Sequence, residues 1–244
     1  GKTAEAPAAA TATPCSDICS HDDDERFLDM INIHGQLEIP LYHGTSSFFI
    51  DSMKEHGLGG HRDQGLFDLS ILALLVDCLS KPENKTEWWE DNSYIVGKMG
   101  RQAITAGNFN FRHGGTYLTP SKFTAANYAS NKMGSELLTT LYDGFVALES
   151  INSKVAEGII PNGHKLREVF RHNHRSCLIT ATGVDAKSLK TEQGEDIYDQ
   201  LKAMEDLKNK LSDVPSEQLW QQYNFEICDT LDSQSINFAE FPKL

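Results

Sequence analysis

The chain has 244 residues, with 35 Asp and Glu against 22 Lys and Arg, for a formal net charge of −13. That balance repels phosphate backbones and argues against a general nucleic-acid binder, while favouring a partner with a basic protein face. Apolar residues make up 39%, enough for a core, and no run approaches the ~18–20 apolar residues of a membrane span.

Residues 1–21 are rich in Ala, Thr, Pro and Ser with little to bury. They read as a disordered leader or linker without the apolar centre of a cleavable signal peptide, ahead of a single domain over 22–244. Cys15-x3-Cys19-x-His21 offers half a zinc site, with no second pair at matching spacing, so no metal is expected. The five cysteines fit free thiols in a reducing compartment. Asp22 to Ile33 has the spacing of an amphipathic helix with acidic residues in its first turn.

Leu37 to Ile39 opens an apolar run that leads into Leu41-Tyr42-His43-Gly44-Thr45-Ser46-Ser47, followed by a short helix stopped at Gly57, a residue able to take the left-handed cap conformation. His43 and Thr45 alternate on an extended segment and project to one side. Gly44 between them exposes backbone to a flat ligand. Gly57 to Gly65 is a glycine-rich loop carrying Arg62, whose planar guanidinium suits phosphate oxygens. Leu66 to Leu79 is helical by its apolar spacing, its centre Ile71 to Val76 being the longest apolar run, and Trp88 to Gln102 reads as further helix. Asn108 to Phe111 alternates like a strand, with Phe109 either core or cleft wall.

Gly114-Gly115-Thr116-Tyr117-Leu118-Thr119 then reads as turn and strand, with Pro120 and Ser121 opening a helix that presents Tyr128. Met133 to Val155 is helical. His164 to Arg175 is locally basic, and its paired histidines, His172 and His174, read as solvated. Cys177 to Val184 is a strand, and residues 196–212 form an amphipathic helix. Tyr223 to Cys228 alternates as a strand with Glu226 on one face.

These three blocks together resemble the ADP-ribosyltransferases of the diphtheria-toxin and poly(ADP-ribose)-polymerase type, whose signature is His, Tyr and Glu on three strands. Tyr117 and Tyr128 stand eleven apart, as do the two tyrosines that sandwich nicotinamide in the polymerase-type block. The resemblance implies an α+β fold, two packed, mostly antiparallel sheets around an NAD cleft with flanking helices. It also implies Glu226, His43 and Tyr117 as catalytic residues, and His43, Gly44, Thr45, Arg62, Tyr117 and Tyr128 as NAD-binding residues. NAD is then the substrate, with no metal. The polymerase-type pattern has a Ser where this chain has Ala125, with Thr124 as the neighbouring hydroxyl.

The implied activity is transfer of a single ADP-ribose unit to a protein side chain, with release of nicotinamide. The acceptor expected is a host protein with a basic surface, ubiquitin among the candidates, and the leader suggests a secreted bacterial effector or toxin acting in host cytoplasm. Two alternatives are a nucleic-acid acceptor tracked by residues 165–175, and an NAD-binding member without turnover. An RNA 2′-phosphotransferase shares a related fold but needs a basic His/Arg constellation in place of Tyr and Glu.

Overall fold

The computed structural model describes residues 28–61, 63, 65–100, 115–130 and 133–240. The expectations for the leader, for residues 22–27, for Arg62 and for the Asn108–Phe111 strand lie outside them.

The described chain is an α+β arrangement built on two small antiparallel sheets. In the first, β1 (Leu41–Ser46) pairs with β3 (Ser176–Ala181), which pairs with β6 (Ile236–Glu240). In the second, β5 (Phe225–Ile227) lies between β2 (Tyr117–Leu118) and β4 (Leu189–Thr191). The two sheets touch where Tyr42 N–H donates to Thr119 C=O at 2.8 Å and Thr119 N–H returns the bond at 2.9 Å. This is the one β-bridge between them among the described residues, and past it β1 runs on as an open edge.

Both sheets feed one core. Leu41, Ile179 and Ala181 of the first sheet cluster with Leu118, Phe225 and Ile227 of the second. The helix α7 (Tyr198–Lys210) adds Leu201 and Met204, the two buried residues of its apolar stripe. Cys177, Leu178 and Ile179 are consecutive and all buried, so β3 is covered on both faces and carries no polar alternation. One cover is α4 (Lys122–Ser130), which lies across β1 and β3. It approaches so closely that a Cβ on Gly44 would stand 1.9 Å from the Ala125 carbonyl oxygen. Only glycine permits that crossing.

A second core is helical. The helices α2 (Leu69–Leu79), α3 (Glu87–Gly100), α5 (Glu136–Ile159) and α6 (Lys165–Arg171) bury Leu72, Leu75, Met99, Leu141, Phe145 and Leu166 together. Asp68 caps α2 by accepting from Ser70 N–H, and Ser135 caps α5 by accepting from Leu138 N–H. The backbone of α5 breaks at Asn152 (φ −149°, ψ 72°), and the Asn152 side chain restarts the helix by accepting from Val155 N–H at 3.3 Å. No helix among the described residues is long and apolar enough to cross a membrane.

Three local expectations change. The helix expected over 22–33 is, in its described part, a turn in which Ile31 bridges Leu37. Asn32 is the reason: its Oδ1 accepts from His34 and Gln36 N–H at 2.9 and 3.0 Å, and Gly35 takes a φ of +77°. That local side-chain bonding offers the backbone an alternative to helix. The helix α1 (Ile50–His56) does stop at Gly57, whose φ is +78° but whose ψ of 171° is extended rather than left-handed helical. The expected solvation of the histidine pair holds only for His172, which is exposed. His174 is tied in: its Nε2–H donates to the Val169 carbonyl at 2.7 Å, leaving Nδ1 to accept from the Ser46 hydroxyl at 2.5 Å.

Candidate functional site

The motif strands converge where the two sheets part. His43 on β1 points its ring at β2, and Nδ1 lies 2.8 Å from the Tyr117 carbonyl oxygen. A carbonyl only accepts, so Nδ1 carries the proton and Nε2 keeps a lone pair when the ring is neutral. Burial pushes the His43 pKa below the usual imidazole value, against the smaller upward pull of the Tyr117 carbonyl. The ring is therefore held neutral, with Nε2 as an acceptor for a hydroxyl.

Glu226 sits at the centre of the second sheet. The register places Tyr117 opposite it on β2 and Lys190 opposite it on β4. Directly opposed residues of antiparallel strands share a face, so Tyr117, Glu226 and Lys190 form one cross-strand row. Lys190 Nζ lies 3.5 Å from Glu226 Oε2, and the two side chains are 32% and 16% exposed. The carboxylate occupies the space left by a missing side chain at Gly115, where a Cβ would come within 2.3 Å of Glu226 Oε1.

His43, Thr45, Lys190 and Glu226 line a single cleft of about 640 Å³. That lies within the ~300–1,000 Å³ of small-molecule sites. Phe49, Met53 and Phe67 form an apolar part of the wall, while Gly57, Gly59 and His61 bring the glycine-rich loop to the same cleft. Thr45 is buried and shares the lining with His43 two residues away. Gly44 between them turns its amide and carbonyl the other way. Tyr42 bonds Thr119 while Ser47 bonds Arg175 beyond β3, so ladder alternation directs Gly44 N–H and C=O to the open edge of β1. The space beside its Cα is filled by α4, so backbone polarity and not a bare face is what Gly44 offers.

No known protein family matches the chain, and no curated protein or solved structure does.

The tyrosines are placed differently from each other. Tyr117 gives its carbonyl to His43, and its hydroxyl is buried. Tyr128 is half exposed on α4, its hydroxyl raised in pKa by partial burial and then by the Glu136 and Glu192 carboxylates. Neither side chain is among those lining the cleft. Thr124 Oγ1 donates to the Gln221 carbonyl at 3.1 Å, so that hydroxyl is already engaged.

Sequence reasoning missed Lys190, Gly115, His61, Asp229 and Thr230, all in the cleft lining. The Leu189-Lys190-Thr191 alternation is a faint strand signal, with Leu189 and Thr191 buried to either side of Lys190. Nothing in that pattern says that β4 pairs with β5. Among the described residues no group of three or more His, Cys, Asp or Glu side chains is placed to hold a metal ion.

Proposed function

We propose that this chain is an ADP-ribosyltransferase of the His-Tyr-Glu type, moving one ADP-ribose unit from NAD to a protein side chain and releasing nicotinamide. The observation that carries the reading is the convergence of His43 and Glu226, far apart in sequence, on one cleft between two antiparallel sheets. The donor set fits a dinucleotide. His43 Nε2 accepts from a ribose hydroxyl, and the open-edge amide and carbonyl of Gly44 match the acceptor and donor of a carboxamide.

Breaking the nicotinamide–ribose bond develops positive charge on the ribose. Glu226 accepts a hydrogen bond from the 2′-hydroxyl and stabilises that charge electrostatically. Its position beside the cleft also lets it take the proton of an incoming hydroxyl or amine. Tyr117 and Tyr128 supply aromatic faces for the ring by the resemblance, and because neither side chain lines the cleft, stacking requires both rings to turn toward it.

A protein acceptor is favoured over a nucleic acid by the state of the 165–175 segment. Lys165 pairs with Asp63 at 2.7 Å, and Arg167 pairs with Glu149 at 3.3 Å and stacks on Phe145. Lys165 and Arg167 are thus committed within the chain, which makes the segment a poor phosphate track. A chain at −13 is steered instead to a basic protein face, as ubiquitin presents, and delivery as a bacterial effector into host cytoplasm is the setting we infer. The test is labelled NAD incubated with the protein and whole-cell lysate, then treated with protease or nuclease. Label lost to protease supports the reading; label lost only to nuclease makes the acceptor a nucleic acid.

A further inference from the structure

Lys190 is the only lysine or arginine among the described residues that line the cleft. It stands on β4 directly across from Glu226, with Nζ 3.5 Å from Oε2, longer than the ~2.7–2.9 Å of a tight charge-assisted bond. The pair is partly exposed and therefore easily exchanged. The cleft wall otherwise offers His, Thr and Ser side chains and stretches of glycine backbone to an anion, and Glu226 and Asp229 oppose it. An anionic ligand entering this cleft competes with Glu226 for one ammonium. A diphosphate, with two negative charges, outbids a single carboxylate in Coulomb attraction at similar distance.

We infer that Lys190 is the anion-receiving side chain of the cleft: its ammonium leaves Glu226 for the diphosphate of the dinucleotide, so that one binding event holds the phosphates and bares the carboxylate. The inference rests on the NAD reading and adds to it a residue that the His-Tyr-Glu signature does not contain. Lys190 is then a binding residue for the phosphates and, through its departure, a positioning residue for Glu226.

The full chain is titrated with ADP, which carries the diphosphate without the nicotinamide half, and with NAD, for wild type, Lys190→Met and Lys190→Arg. Lys190→Met removes the charge at nearly constant length and should weaken ADP and NAD roughly tenfold, as loss of one charge-assisted contact does. Lys190→Arg should restore most of the affinity. In turnover, KM for NAD rises with kcat little changed, since Glu226 is already bare in the Met variant. ADP affinity equal in wild type and Lys190→Met, or a fall in kcat with KM unchanged, overturns the inference while leaving the NAD site standing. Wild-type protein that binds neither ADP nor NAD overturns both. Circular dichroism and the urea midpoint of each variant establish that the fold is retained.

Discussion

At Gly115 the consequence of a single methyl group follows from one distance. A Cβ there would stand 2.3 Å from Glu226 Oε1 and 2.6 Å from Cδ, so Gly115→Ala must push the carboxylate aside. A displacement near 1 Å at a reacting group costs on the order of 10²-fold in rate. Nicotinamide release by Gly115→Ala should fall by roughly that factor while the urea midpoint moves little; a rate equal to wild type would remove Glu226 from the chemistry. His43 and His174 make a second prediction, about pH. Burial holds both imidazoles below the ordinary range, so the folded state prefers the neutral rings. For a depressed histidine the unfolded chain takes up the proton first. The stability contributed is complete above the unfolded value of about 6.5 and is lost as pH falls below it. Urea midpoints should therefore decline from pH 7.5 to pH 5.5, and a flat profile over that window would contradict the burial argument. NAD affinity should hold over the same range, because the buried His43 ring of the folded protein stays neutral and Nε2 goes on accepting until the pH is well below the ordinary imidazole value.

The element that positions everything is β1, fixed between β3 on one edge, the Tyr42–Thr119 bridge on the other, and α4 across its face. Gly44→Ala inserts a Cβ 1.9 Å from a backbone carbonyl and 2.6 Å from the Ala129 nitrogen, so α4 must lift from the sheet. Overpacking of this kind costs about 1–3 kcal/mol, read as a lower urea midpoint together with weaker NAD binding. A smaller effect belongs to α5: Asn152→Ala removes the side chain that restarts the helix and should cost about 1 kcal/mol without touching turnover. Local pattern made these elements legible. The helices α2, α3, α5 and α7 follow from apolar spacing, and the strand character of Leu41–Ser46 and Phe225–Ile227 from alternation. Register was not legible. Glu226 pairs with Tyr117 on one side and Lys190 on the other through strands distant in sequence, and a two- or three-residue strand carries too little pattern to declare its partner. The same holds for Gly115, whose role depends on Glu226 lying over it. Near Asn32 the apolar spacing misled, because an Asn side chain bonding two backbone amides outcompeted the helix.

At the scale of the molecule, the excess negative charge and a cleft with one lysine and no arginine among its described lining residues point in the same direction. If the proposed transfer to a basic protein is steered by the net charge of −13, its rate should slow steeply as ionic strength rises past ~0.15 M. Transfer to water, seen as simple nicotinamide release, should be far less salt-sensitive, and equal salt dependence of the two rates would argue against steering. The two hydrophobic clusters divide the labour: the sheets and α7 hold His43 and Glu226 in place, while α2, α3, α5 and α6 pack around their own apolar centre. Beneath all of this lies the claim that Glu226 stabilises charge on a departing ribose. The direct measurement is nicotinamide release from NAD by wild-type protein and by Glu226→Gln, which keeps the shape and removes the charge. The account predicts a fall of roughly 10² to 10³ in the mutant, with NAD binding and fold retained. Equal rates in the two proteins, or no release by either, would contradict it.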